Sequence, residues 1–272
     1  MNLDKYKLLA GDASFRKFYR STEGSVIVFS QKNKYSNLVV YDAINKCLRN
    51  NGVNTPKLKK EYYKKNYIEI EDLGDDTILK ILKKNYNKNK IYLNIIKLLK
   101  SIQEIRTKNI KTFSGNKYKI PQYTKGKLLD ESKLFLDWYL PKVITKTKIK
   151  KAKNEIKDVL KNLYKKLKLN EKVFVHRDFH VSNMMYHKKK FYLIDSQDAV
   201  YGNIAYDLAS LIDDVRLKTS QELKNKIFKL YIRVNKSIDQ TKLKNDFEIL
   251  SVLRNLKIIG IFTRLAVRDS KK

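Results

Sequence analysis

Apolar positions in the first seventy residues recur mostly at a spacing of two. Residues 15–20 alternate, 25–30 form an apolar β-branched run, and 57–63 and 67–71 form two more. A period of two sends successive side chains to opposite faces of a pleated chain, so these runs predict strands. Between them Leu38, Val39, Tyr41, Ile44 and Leu48 recur at helical spacing. Asn51-Gly52 supplies a left-handed stop for that helix, and Pro56 opens the next strand.

The period changes from Asp75 onward. Residues 77–84 and 91–105 are helical, and Ile156, Val159, Leu160, Leu163 and Leu167 mark another helix with lysines on its far, solvated face. Two short apolar runs, 172–175 and 191–194, interrupt this region and bracket a polar segment, 176–183. These runs are expected as adjacent strands. Helical patterns resume at 205–215 and 247–267. The pattern predicts an α+β chain: a β-rich N-terminal lobe over residues 1–74, a hinge near Glu71–Asp75, and a larger, mainly helical lobe over 75–272.

Composition changes this picture little. The chain has 272 residues, 42% of them hydrophobic, enough to bury a core. No run of eighteen apolar residues is present, and the N-terminus has no apolar export segment, so no membrane association is expected. A single cysteine, Cys47, forms no internal disulfide and reads as a small core residue; a monomer in a reducing cytoplasm is the expectation. The net charge of +32 raises nucleic acid as a partner. Only ten of the sixty basic residues are arginine, the residue of bidentate phosphate and guanine contacts, and the lysines are spread evenly. No specific nucleic-acid partner is therefore expected, although the field favours anionic ligands such as ATP.

The chemistry lies in residues 173–198. Phosphoryl transfer needs a base for the attacking hydroxyl, oxygen ligands for Mg²⁺ and fixed positive charge around the phosphates. Asp178 and Asn183 have the D-x-x-x-x-N spacing of a kinase catalytic loop, and Asp195 ends an apolar run where a second metal-binding carboxylate is expected. Taken singly, His176 reads as a loop histidine, Asn183 as a helix cap, and an aspartate at a strand end is common. Their order between two apolar runs is what makes them a site.

His176-Arg177-Asp178-Phe179-His180-Val181-Ser182-Asn183 resembles the H-x-D-x-H-x-x-N loop of aminoglycoside phosphotransferases and choline kinases, which implies the two-lobed protein-kinase-like fold. Protein kinases generally carry lysine two residues after the catalytic aspartate; His180 stands there instead, favouring a small-molecule acceptor. A narrower resemblance rests on six segments in one order: GDASFRKFYR (11–20), EDLGDDT (71–77), LFLDWYL (134–140), HRDFHVSNMM (176–185), DSQDAVYGNIAYDLASLIDD (195–214) and LKIIGIFTRLAVRD (256–269). This set resembles bacterial N-acetylmuramate/N-acetylglucosamine anomeric kinases of cell-wall recycling, which phosphorylate the 1-hydroxyl of a free amino sugar with ATP.

The resemblance implies residue roles. Asp178 is the base, with His180 beside it in the catalytic loop, and Asn183 with Asp195 holds Mg²⁺. Gly11, Asp12, Ala13, Ser14 and Arg16 form the turn over the ATP phosphates. Glu71, Asp72 and Leu73 form the hinge whose backbone binds adenine. Gln197 and Asp198 contact the sugar, and Trp138 stacks on it or anchors a core. Asp207 braces the loop. Two features depart from protein kinases. The strand 25–30 has no lysine (Lys32 lies past it), and the following helix has Asp42 as its only acid, so Arg16 or Arg20 is expected to supply the phosphate charge. Another small alcohol or an aminoglycoside as acceptor, or a catalytically silent ATP-binding or nucleic-acid-binding protein, are the competing readings.

Overall fold

A computed structural model describes residues 6–9, 16–30, 36–84 and 87–268. The turn at 11–14 expected over the phosphates lies outside them. The chain forms two compact units, each made of two stretches: residues 1–121 with 176–199, and residues 122–175 with 200–272.

The first unit is built on an antiparallel sheet in the order β1-β2-β3-β5-β4, comprising β1 (Tyr6–Leu9), β2 (Arg16–Ser21), β3 (Ser25–Ser30), β4 (Leu58–Tyr62) and β5 (Tyr67–Glu71). β3 is central and covered, which is why its sequence is an apolar run: Val26, Ile27 and Val28 are all buried. Helix α1 (Ser36–Asn50) places Leu38 and Tyr41 against Val26, Val28, Ile68 and Ile70. Its end is closed by Gly52 at φ +79°, with Gly52 N donating to Arg49 O and Val53 N to Leu48 O. Only a residue without a Cβ takes that conformation freely, so the Asn51-Gly52 stop falls where the sequence placed it. Helices α2 (Ile78–Lys83) and α3 (Lys88–Gln103) follow, each opened by a side chain accepting from the third residue beyond it, Thr77 and Asn87 respectively. A short hairpin, β6 (Asn109–Lys111) with β7 (Lys117–Lys119), had no clear alternation to announce it.

The second unit is mainly helical: α4 (Lys125–Leu134), a π-helical turn (Phe135–Tyr139), α5 (Leu140–Val143), α6 (Ile149–Lys165), α7 (Ala205–Ile212), α8 (Gln221–Val234) and α9 (Gln240–Arg268). It also holds β8 (Lys172–Val175) paired with β11 (Val200–Asn203). The buried carboxylate of Asp246 on α9 fastens the approach to β8, accepting from Lys168 N at 2.8 Å, Leu169 N at 2.9 Å and Asn203 Nδ2 at 2.6 Å. Gly260 lies so close to the start of the π turn that a Cβ there would sit 2.4 Å from the Leu134 carbonyl carbon.

One expectation is corrected. The runs ending at Val175 and Ile194 are strands, but they do not pair with each other. β10 (Lys190–Leu193) pairs with β9 (Met184–His187) in the first unit, whereas β8 pairs with β11. The reason is local. Lys188 (φ +48°) and Lys189 (φ +60°) form a two-residue left-handed turn that folds β10 straight back on β9. Lysine gives no sequence signal for such a turn.

Candidate active site

The polar segment after β8 folds on itself through its own backbone. His180 N donates to Asp178 O at 3.0 Å and Asn183 N to His180 O at 2.9 Å, winding 181–183 into a 3₁₀ turn. Asn183 therefore ends a turn and does not cap a helix. Its Nδ2 donates to Asp178 O at 3.0 Å, and its backbone carbonyl accepts from Ile194 N at 3.0 Å. Ile194 O in turn meets His176 Nε2 at 3.1 Å. Carbonyls only accept, so Nε2 carries the proton. His176 is fully buried, and desolvation holds its pKa below the ordinary value, opposed by the charges of Asp178 and Asp195. These bonds bring Asp178, Asn183 and Asp195 into one cluster.

Two residues of the cluster hold left-handed backbone: Arg177 at φ +76° and Asp195 at φ +64°. Non-glycine residues rarely adopt it, and such strain concentrates where geometry serves function. At Asp195 it turns the chain sharply off β10.

The Arg16 guanidinium meets this turn. Nη2 lies 2.5 Å from Asp195 Oδ1 and Nη1 donates to Gln197 Oε1 at 2.6 Å. Only 3% of the Arg16 side chain is exposed, against 37% of Asp195. The guanidinium also lies over the rings of Phe18 and Tyr41, 5.8 and 5.6 Å from their centroids. Burial pushes the Tyr41 phenol up to about 12, with the Arg16 charge pulling the other way, so the ring stays neutral. Arg20 is engaged elsewhere: it pairs with Asp72 at 2.6 Å and with Asp75 at 3.0 Å, and donates to Gly74 O at 3.1 Å. It thereby pins the segment that leaves β5.

Each side chain from Asp195 to Asp198 is anchored. Ser196 Oγ donates to Asn45 Oδ1 on α1 at 2.6 Å, with both residues buried. Gln197 Nε2 donates to Asp198 Oδ2 at 2.8 Å, and Asp198 Oδ1 lies 3.9 Å from Arg177 Nη1. Gln197 is thus held at both ends of its amide, beside Arg16. Sequence reading missed Asn45. Its signal was a polar residue four positions after Tyr41, within the apolar stripe of α1. A neutral Asn45–Ser196 bond thus ties this helix to the Asp195 turn.

The donor set suits a small hard cation. Because Asn183 Nδ2 faces the Asp178 carbonyl, its Oδ1 is turned the other way; Asp195 keeps Oδ2 beyond the Arg16 contact. Two protein oxygens with water completing the shell is an ordinary Mg²⁺ arrangement. Among the described residues no group of three or more His, Cys, Asp or Glu forms a denser metal cluster. Glu71 ends β5, and Asp72 and Leu73 follow it, with Asp72 also accepting from Gly74 N at 2.8 Å. Trp138 belongs to the second unit, half-buried in the π turn.

Residues 5–239 match the phosphotransferase enzyme family. The N-acetylmuramate/N-acetylglucosamine kinase of Neisseria meningitidis serogroup B is 27% identical, covering 96% of this chain and 79% of that protein. The enzyme of the same name from Pseudomonas aeruginosa is 25% identical over 96% of this chain and 77% of its own. In structure, the ADP-bound aminoglycoside phosphotransferase APH(2'')-Ib matches with a TM-score of 0.69 at 15% identity, over 99% of this chain and 90% of that one. A choline/ethanolamine kinase family protein from Mesorhizobium loti matches with a TM-score of 0.66 at 11% identity, over 97% and 82%. The α+β architecture read from the sequence is the fold these structures share, and the chain belongs to the phosphotransferase enzyme family, as a kinase.

Proposed function

We propose that the protein transfers the γ-phosphoryl group of ATP to the 1-hydroxyl of a free amino sugar, N-acetylmuramate or N-acetylglucosamine, as a step in reuse of cell-wall sugars in the cytoplasm. The observation that carries this reading is the bonded cluster of Asp178, Asn183 and Asp195 with Arg16. The acceptor assignment is supported by relatives of that name aligning over 96% of the chain.

Asp178 orients the acceptor hydroxyl and takes its proton as the new P–O bond forms. Asn183 and Asp195 would hold Mg²⁺, which would supply neutralisation of the phosphate charge when bound. Arg16 fills the place of the strand lysine of protein kinases. It sits beside the metal aspartate, held by Gln197 and by the Tyr41 and Phe18 rings, so its charge is oriented before the phosphates arrive. Preorganised charge of this kind costs no reorganisation during the reaction. His176, neutral and donating to Ile194 O, keeps the catalytic loop and the Asp195 turn in register.

The test is ATP consumption by purified protein against a panel of N-acetylmuramate, N-acetylglucosamine, choline and kanamycin. Turnover is expected with the two amino sugars, giving a 1-phosphate, and with neither other compound. A 1-O-methyl glycoside lacks the nucleophile and is expected to be inert. Phosphorylation of that glycoside would refute the 1-hydroxyl assignment while leaving the kinase intact.

A further inference from the structure

Asp195 has a left-handed backbone, φ +64°, which a non-glycine residue keeps only where its surroundings hold it there. On the incoming side the hold is backbone: Ile194 N donates to Asn183 O, and Leu193 N donates to Asn54 O at 2.9 Å. On the outgoing side Ser196 O accepts from Ala199 N at 3.1 Å, a bond internal to the turn. Two side-chain bonds then reach from that side to other elements, Gln197 to Arg16 and Ser196 to Asn45. The first uses the same guanidinium that pairs with Asp195, so it gives no independent anchor. The second does.

Asn45 is well built for the task. It is 1% exposed and Ser196 fully buried, so water cannot replace either partner if the other is removed. Its own backbone is fixed: Asn45 O accepts from Thr55 Oγ1 at 3.1 Å, and Thr55 Oγ1 accepts from Arg49 Nη1 at 3.1 Å. The loop leaving α1 is bound to β10 as well, with Asn54 Nδ2 donating to Phe191 O at 3.1 Å. All of these residues belong to the first unit. The Asn45 side chain also neighbours the Tyr41 phenol, whose ring lies under the Arg16 guanidinium. The contacts therefore close a ring through Arg16, Tyr41, Asn45, Ser196 and Asp195. A carboxylate at position 45 would compete with Asp195 for Arg16, whereas a neutral amide holds Ser196 and leaves that ion pair alone.

We infer that Asn45 is a positioning residue for the metal-binding carboxylate: through Ser196 it fixes the backbone of the Asp195 turn, and with it the direction of the Asp195 side chain. The inference rests on the reading of Asp195 as a Mg²⁺ ligand. It deepens that reading by making α1 part of the metal site, through a neutral hydrogen bond that neither partner can exchange with water. Residues that orient a metal ligand in this way are worth about 10- to 100-fold in metal affinity.

The experiment measures ADP binding by titration calorimetry, in Mg²⁺ and in EDTA, for the native protein, Ser196→Ala, Asn45→Leu and the double variant. The ratio of the two dissociation constants reads how strongly metal and nucleotide support each other, since such coupling is reciprocal. A defect that only loosens the fold weakens ADP binding under both conditions and leaves the ratio alone. In each single variant the ratio is expected to fall about 10-fold, with ADP affinity in EDTA little changed. The double variant should be no worse than either single, because both remove one bond. An unchanged ratio, or losses that multiply in the double variant, would overturn the inference. Should Asn45→Leu not fold, Ser196→Ala, which deletes one oxygen, decides by the same ratio. If Mg²⁺ does not affect ADP binding to the native protein, the metal reading of Asp195 fails, and the coupling between Arg16 and Asp195 decides the positioning role by itself. That coupling comes from unfolding of Arg16→Met, Asp195→Asn and their double variant without nucleotide or metal. A coupling weakened in the Ser196→Ala background keeps the role of Asn45, and an equal one overturns it.

Discussion

Replacing Asp195 by Asn separates structural from catalytic consequences at one residue. The substitution keeps the shape and one acceptor oxygen but removes the charge facing Arg16. Breaking a buried ion pair by removing one partner typically costs about 3–5 kcal/mol. Two features of the site reduce that figure. The Asp195 side chain is 37% exposed, so water already screens the pair, and the amide oxygen can still accept from Nη2. A net loss of about 2 kcal/mol follows. For a chain of this size that lowers the melting midpoint by about 4–8 °C. The assay is thermal unfolding without nucleotide for the native protein, Asp195→Asn, Arg16→Met and the double variant. Because the two residues share one interaction, the double variant should lose clearly less than the sum of the singles. Turnover by Asp195→Asn should also fall and be partly restored by raised Mg²⁺. Strict additivity, with midpoint shifts below about 1 °C for both singles, would refute the ion pair and the anchoring of Arg16 built on it.

Asp178→Asn should lower the rate by about two to four orders of magnitude, with little change in KM for ATP and no rescue by Mg²⁺; steady-state kinetics at several Mg²⁺ concentrations check this. His176 is neutral in the fold because burial lowers its pKa from the ordinary 6.5. As pH falls below about 6.5, the unfolded chain binds a proton that the folded chain refuses, so stability is lost on the acid side by at most about 1.4 kcal/mol per pH unit. Urea midpoints between about pH 7.5 and 5.5 should decline less steeply for His176→Gln than for the native protein. Gly260→Ala should destabilise despite alanine's advantage of about 1 kcal/mol in a helix, since its Cβ would meet the Leu134 backbone at 2.4 Å. Equal or higher melting midpoints would show that α9 can back away.

Much of this protein was readable along the chain because the relevant physics is local. The covered strand 25–30, the stripe of α1, its Gly52 stop and the lysine-rich outer face of α6 each follow from side-chain period and backbone freedom within a few residues. The five-residue interval from Asp178 to Asn183 is likewise local, since the turn that returns the amide to the Asp178 carbonyl closes through bonds within that interval. Tertiary structure decided everything that depends on partners far apart in sequence. The sequence left Arg16 and Arg20 as equal candidates for the phosphate charge. Arg16 meets Asp195, 179 positions away, while Arg20 turns to Asp72 and Asp75. Strand pairing after β8 went against the expectation because two lysines took left-handed backbone and closed the β9–β10 hairpin, leaving β8 to β11. Asn45 looked like an interruption of an apolar stripe until Ser196 supplied its partner.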